Sequence, residues 1–358
     1  MSDYESRDET VAMREGENLD AEKIREFLAA SFPEISGEIA IRQFPGGFSN
    51  LTYLVKAGER EMILRRPPFG RKAKSAHDMA REYRVLTALK PAFPLCPEPL
   101  AYTDDEGIIG SPFYLMERIQ GVILRKDLPS ALRFTPDRAR GLSENLVDTL
   151  CRLHAVDYHA AGLDDLGKGG GYVSRQVAGW SKRYAEARTA DAPSCEKVTG
   201  WLHDKMPSHS PASTLIHNDY KFDNTVLDSS DPTRIVGLLD WEMATIGDPL
   251  MDLGSSLAYW VEANDPPQLQ AIRTMPTNVP GMLTRKEQVA RYGEMSGIAI
   301  DNFDFYYCFG LFRLAVIAQQ IYYRYCQGQT SDPRFKTLIH AVRALDQTAL
   351  GVIARSEC

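Results

Sequence analysis

The sequence predicts an α+β chain in two lobes, a small β-rich N-lobe and a larger, mostly helical C-lobe. Three observations carry this. At 358 residues the chain is long enough for two domains of ~150 residues each. Period-two alternation of apolar residues crowds into residues 39–117. Beyond Gly121 helical spacing dominates. The expected division is a flexible tail over 1–17, an N-lobe over 18–118 and a C-lobe over 119–358.

Each element follows from its local pattern. Residues 1–17 are rich in charge and lack apolar periodicity, so they read as a solvated tail. Over 19–32, Ile24, Phe27 and Leu28 recur at helical spacing, with Asp20 as a cap. Residues 39–44 alternate, Gly46-Gly47 punctuates, and strands over 51–55 and 61–65 flank a turn at 57–59, a three-stranded antiparallel meander. Pro67-Pro68 ends it. A helix over 75–89 puts Met79, Tyr83, Leu86 and Leu89 on one face, and two further strands fit 99–102 and 113–117. In the second half, helices are expected over 142–155, 303–326 and 335–355. Strand character returns only over 214–239.

Composition narrows the function classes. Lys plus Arg is 41 against 48 Asp plus Glu, a net charge of −7, which disfavours a nucleic-acid binder. No run approaches the ~18 apolar residues of a membrane span. The N-terminus lacks a secretory apolar core. The six cysteines stand apart from one another with no metal-ligand spacing, as incidental thiols do in a reducing compartment. A cytoplasmic location is the expectation.

The chemistry concentrates in Leu215-Ile-His-Asn-Asp-Tyr-Lys-Phe-Asp-Asn-Thr-Val-Leu227. An apolar strand enters a polar loop and an apolar strand leaves it. A second apolar stretch, Ile235-Val-Gly-Leu-Leu, ends on Asp240. Asn224 and Asp240 would then stand at adjacent strand ends, one amide oxygen and one carboxylate suited to Mg²⁺ and substrate phosphates. Asp219, five residues before Asn224, would act as base or orienter for an attacking hydroxyl. His217-x-Asp219 with Asn224 at this spacing is the layout of a phosphoryl-transfer site. Spacing alone gives Lys221 and Asp223 no role.

With Leu239-Asp240-Trp-Glu242 and Gly247-Asp248-Pro-Leu-Met-Asp252, the sequence resembles the aminoglycoside phosphotransferase and choline kinase group of small-molecule kinases. Within it, the sequence is most similar to the phosphotransferase domain of acyl-CoA dehydrogenase family members and their stand-alone bacterial relatives. The resemblance covers roughly residues 35 to 330. It implies a two-lobed protein-kinase-like fold, Mg²⁺, and ATP or GTP as co-substrate. It implies Asp219 as catalytic base and Asn224 and Asp240 as metal ligands. His217, Asp248, Asp252 and the Leu153-His154 pair become structural supports. Gly46, Gly47, Ser49 and Asn50 fall where backbone amides would cover phosphates. Arg65 falls where protein kinases place a lysine, with Glu82 as its ion-pair partner. Backbone groups near Glu117 and Ile119 would meet the base of the nucleotide.

The acceptor stays open. A hydroxy acid or its CoA thioester is favoured narrowly, with Arg66, Arg71, Lys72 and Lys74 as candidate basic residues near the cleft. An aminoglycoside or amino alcohol is the alternative, and a nucleotide-binding module without transfer is another. Presence of Asp219, Asn224 and Asp240 together favours an enzyme. Tyr322 to Tyr325 would either line an acceptor pocket or pack a helix.

Overall fold

The computed structural model describes residues 10–35, 37–44, 50–68, 78–129, 132, 134–330 and 332–357. Five strands, β1 (Ile39–Gln43), β2 (Leu51–Ala57), β3 (Arg60–Arg66), β4 (Pro99–Thr103) and β5 (Phe113–Glu117), form one antiparallel sheet in the order β1-β2-β3-β5-β4. The expected meander is its first half. Alternation assigns the two faces. Tyr53, Val55, Met62, Leu64, Phe113 and Leu115 pack with Ile24 and Leu28 of helix α1 (Ala21–Ser31). Leu54, Ile63, Tyr114 and Met116 face the other way, onto Val85, Leu86 and Leu89 of helix α2 (Met79–Leu89). Burying such an apolar side chain contributes about 1.5–3 kcal/mol. The same parity sends Arg65 to the α2 face and Arg66 to the α1 face.

The described part of the expected tail, 10–17, makes contacts with the sheet. Val11 exchanges both backbone bonds with Gln43 of β1, at 2.8 and 3.0 Å. The Arg14 amide donates to Gln43 Oε1 (2.9 Å), and Tyr53 Oη donates to Glu17 O (2.9 Å). The segment is mostly exposed and also covers the open edge of β1.

The C-lobe is built on helices α3 (Pro136–His154), α4 (Tyr172–Ala187), α5 (Glu196–Asp204), α6 (Pro249–Ala258), α7 (Arg285–Ser296), α8 (Phe303–Cys326) and α9 (Leu338–Arg355). Two small ribbons lie at the cleft, β6 (Thr214–Ile216) with β9 (Thr245–Gly247), and β7 (Thr225–Leu227) with β8 (Ile235–Leu238). Helices α6 and α8 cross in backbone contact: a Cβ on Gly310 would lie 2.1 Å from Gly254 O. That crossing sets Arg313 of α8 beside the loop that α6 supports. The link between lobes clips to the β7–β8 ribbon through a Val122–Leu227 bridge. Among the described residues no helix is long and apolar enough to cross a membrane.

Candidate active site

The loop after β6 is fixed from below by α6. Asp248 caps this helix, accepting from the Leu250 amide at 2.8 Å. One turn on, fully buried Asp252 accepts from the His217 amide (2.8 Å), the Asn218 amide (2.8 Å) and His154 Nε2 (3.1 Å). Burial opposes its charge, but the bond and charge of His154 outweigh burial, and the carboxyl sits below its usual range. His154 is closed off by Tyr292 Oη at 2.7 Å. His217 is fully buried, and burial lowers its pKa, so the ring is neutral. The bonds it makes assign the tautomer: Nε2–H donates to Leu239 O (3.0 Å) and Nδ1 accepts from the Asp219 amide (3.2 Å). Asn218 between them takes a left-handed φ of 66°, rare outside glycine. Of the supports expected from sequence, His217, Asp252 and His154 meet under one loop, and Asp248 caps the helix that carries Asp252.

Above them, the Asp219 carboxylate is gripped from two sides. Lys221 Nζ donates to both oxygens, at 2.8 and 2.7 Å. Asn224 Nδ2 donates to Asp219 Oδ2 (2.9 Å) and to its carbonyl (2.8 Å). Burial works against the Lys221 charge, but Tyr259 and Asp219 outweigh it and raise its pKa, so the ammonium persists. The Leu239 amide donates to Asn224 O at 2.8 Å, which brings Asp240 next to Asn224. Asp240 has a left-handed φ of 68°, a conformation that costs about 1–3 kcal/mol and concentrates at functional sites. Its carboxyl is held below its usual range; burial opposes this, and Arg65 overcomes burial by charge and hydrogen bond.

Among the described residues no three His, Cys, Asp or Glu side chains form a metal cluster. The donors present are one carboxylate, Asp240, and one amide oxygen, Asn224 Oδ1, whose nitrogen is already engaged by Asp219. Two hard oxygens with the rest left to phosphates and water is what Mg²⁺ accepts, so the residues fit.

The N-lobe side is a charge cluster that spans the lobes. Arg65 Nη2 donates to Asp240 Oδ1 (3.0 Å), while its Nη1 lies 3.5 Å from Glu82 and Nη2 lies 3.7 Å from Glu242. The expected Arg65–Glu82 pair is thus present. Its local competitors are engaged elsewhere: Arg81 donates to the carbonyls of Glu242 (3.1 Å) and Ala244, and Arg84 pairs with Asp165. Asn50 Nδ2 donates to Glu242 Oε2 at 2.8 Å, so this side chain joins the lobes. The Glu117 amide donates to Glu98 O at 2.8 Å. Ile119 lies over Gly237, where a Cβ would come within 2.8 Å of it. Gly46, Gly47 and Ser49 lie outside the described residues, as do Arg71, Lys72 and Lys74. Arg66 does not face the cleft. It is buried on the α1 face and donates to Ile109 O (2.9 Å), as strand parity requires.

A family model described as a phosphotransferase enzyme family matches residues 40–286. The chain belongs to this family. Mouse acyl-CoA dehydrogenase family member 10 is 37% identical to this chain over 299 residues, covering 83% of the chain but only 28% of the mouse protein. A crystal structure from Ralstonia eutropha, assigned as an aminoglycoside phosphotransferase, superposes with a TM-score of 0.80 at 27% identity. The superposition covers 95% of this chain and all of that one. The GDP complex of an aminoglycoside 2'-phosphotransferase shares the fold, with a TM-score of 0.59 at 16% identity over 94% of this chain and 98% of its own. The protein-kinase-like fold expected from the sequence is therefore present.

Four residues around the candidate site escaped assignment from sequence. Lys221 is two positions beyond Asp219, so the clue was present but the fold-back was not. Glu242 stood in a quoted string with no role and turns out to close the lobes through Asn50 and Arg65. Tyr259 follows α6, with its ring 4.7 Å from Lys221 Nζ. Arg313 comes from α8 and donates to Asn218 O at 2.6 Å. The Tyr322 hydroxyl donates to Asp191 (2.9 Å), so it ties a surface loop to α8.

Proposed function

We propose that this phosphotransferase moves the γ-phosphoryl group of ATP or GTP to a hydroxyl of a small molecule, with a hydroxy acid or hydroxyacyl-CoA preferred as acceptor. One observation carries the reading: Asp219 is a carboxylate held between Lys221 and Asn224 on a loop locked from beneath, beside Asp240.

The reaction follows from that placement. The nucleotide lies between the lobes, its phosphates near Arg65 and its base near the Glu117 carbonyl and Ile119. Asn224 and Asp240 would hold Mg²⁺, which when bound neutralises charge on the phosphoryl oxygens. The acceptor hydroxyl is aligned by Asp219. Its oxygen bonds to the γ-phosphorus while the bond to the β–γ bridging oxygen breaks, and the nucleoside diphosphate leaves with that electron pair. Asp219 takes the hydroxyl proton late, since the transition state is loose. Lys221 keeps the base anionic until then and is placed to follow the charge as it moves to the phosphoryl oxygens. Most of the acceleration comes from alignment.

The test is nucleoside diphosphate release by the purified chain with Mg²⁺-ATP or Mg²⁺-GTP against hydroxy acids, hydroxyacyl-CoAs, aminoglycosides and amino alcohols. Release that depends on the first two classes is the expected result. Release driven by aminoglycosides or amino alcohols would move the assignment to them. Nucleotide binding with no transfer to any class would instead make the chain a binding module.

A further inference from the structure

Helix α6 meets the Asp219 loop at both of its ends. Its first turn carries Asp252, which holds the His217 and Asn218 amides, and Asp248 caps that turn. Just past its last turn come Tyr259 and Trp260, and these two meet the next stretch of the same loop in register. Tyr259 covers Lys221, whose Nζ lies 4.7 Å from the ring centre. Trp260 packs on Phe222, with ring centres 5.5 Å apart. Trp260 and Phe222 are both buried, and Trp260 is anchored in turn, its Nε1–H donating to Leu283 O at 2.9 Å. The buried pair fixes where the loop lies on the end of α6, and so sets Lys221 against Tyr259.

The donors of Lys221 show what the ring contributes. An ammonium has three N–H groups and no acceptor. Lys221 Nζ donates to Asp219 Oδ1 (2.8 Å) and Oδ2 (2.7 Å), and makes no other hydrogen bond among the described residues. The Tyr259 ring takes its remaining side. The Lys221 and Asp219 side chains are 15% and 18% exposed, and a cation on an aromatic face gains most where water is excluded. Burial raises the Tyr259 hydroxyl above its ordinary value despite Lys221, so the ring meets the ammonium as a neutral π face. That hydroxyl makes no hydrogen bond among the described residues. The face therefore steadies the ammonium without drawing an N–H away from Asp219.

We propose that Tyr259 is a positioning residue that acts through Lys221: its ring face holds the ammonium on the Asp219 carboxylate. The proposal rests on the kinase reading above and deepens it. Without the ring, water would solvate the third side of the ammonium and compete with Asp219 for it. Lysine is a flexible point charge on a four-carbon stem, so its placement depends on what surrounds the head. Helix α6 would then position both the backbone of the loop, through Asp252, and the charge beside its base, through Tyr259.

The experiment reads Lys221 first and turnover second, on the full chain. A pulse of acetic anhydride followed by peptide mass spectrometry measures acylation of each lysine. Lys90 of the N-lobe, bonded to Cys96 O and Glu117, is the internal reference. Tyr259→Leu should speed acylation of Lys221 about threefold to thirtyfold, the scale of one desolvated cation–ring contact, with Lys90 unchanged. Tyr259→Phe keeps the face and should bring Lys221 back to the wild-type rate. A leucine variant that also loosens Lys90 is unfolding, and Tyr259→Met then replaces it. Turnover is read as diphosphate release from Mg²⁺-ATP with hydroxy acids, hydroxyacyl-CoAs, aminoglycosides and amino alcohols as acceptors. Tyr259→Leu should lower kcat by a similar factor with KM for ATP unchanged. It should add nothing to Lys221→Met, where the ring has no cation to hold. Equal acylation of Lys221 in wild type and the leucine variant overturns the proposal. So does a phenylalanine variant as reactive as the leucine one, or a full further loss of turnover on the Lys221→Met background. A wild-type chain that releases no diphosphate with any of these acceptors sinks the kinase reading, a separate result, and the acylation contrast still decides the contact.

Discussion

Asp252 and Arg65 are both buried charges at the cleft, and they are satisfied in opposite ways. Every partner of Asp252 lies in its own lobe: two consecutive backbone amides and one histidine. The partners of Arg65 are divided, Glu82 in the N-lobe and Asp240 and Glu242 in the C-lobe. The base is therefore placed by the fold of one lobe and does not depend on how the lobes are set. Asp240 does depend on it, since Arg65 holds the same carboxylate that a cation needs. On the proposed reading, the C-lobe half of the site is built in advance, while the N-lobe half would share out its charges again on binding nucleotide and Mg²⁺.

The widest gap between the halves should appear on removing the base. Asp219→Asn leaves the supports beneath intact and removes proton acceptance, so turnover should fall about 10²–10⁴-fold. Nucleotide affinity should stay near wild type. Steady-state kinetics with a fluorescent-nucleotide titration reads both, and undiminished turnover would remove Asp219 from its role.

Next in size is the support itself. Asp252→Ala strands the His217 and Asn218 amides and His154 in a buried site, and breaking such a network costs about 3–5 kcal/mol. Urea unfolding should show this as a lower midpoint with an unchanged slope. Arg65→Lys probes the other half. It keeps the charge but loses the fork that reaches Glu82, Asp240 and Glu242 at once. KM for nucleotide should rise about tenfold, the worth of one charged hydrogen bond, with little change in the urea midpoint. A Lys variant as unstable as Asp252→Ala would erase the distinction between the two regions.

The same contrast explains what could be read in advance. Alternation fixes both faces of the sheet and hence sends Arg65, not Arg66, to the cleft, although basic side chains look alike in a string. Phe113–Glu117 and Phe303–Cys326 follow directly from apolar pattern. Strand β9 carries no such signal, because three residues cannot display a period. The loop motif anticipates that Asp219, Asn224 and Asp240 come together because their placement is set by order along the chain. Arg313 reaches Asn218 across 95 positions, by a helix crossing that depends on Gly254 and Gly310. Nothing local marks that contact. The contacts of residues 10–17 are hidden for a related reason: their hydrogen-bond partners lie on β1 and β2, far along the chain.

The smallest effect is also the one that opposes the two halves by sign. In the C-lobe, burial lowers the pKa of His217 below the ordinary ~6.5 of a histidine in the unfolded chain. Its contribution is fully present above that value. Below it the unfolded chain takes up a proton that the folded ring refuses, so stability falls at up to about 1.4 kcal/mol per pH unit until the folded value is reached. On the N-lobe side, burial raises the Glu82 carboxyl despite Arg65. Acidification there protonates the folded state first, and this group's contribution to stability rises as pH falls from its folded value to its unfolded one. Urea midpoints from pH 7 downward should therefore flatten in His217→Gln, which lacks the group that loses stability, and steepen in Glu82→Gln, which lacks the group that offsets it. Parallel curves for the two variants would mean that the cleft responds to acid as a single unit.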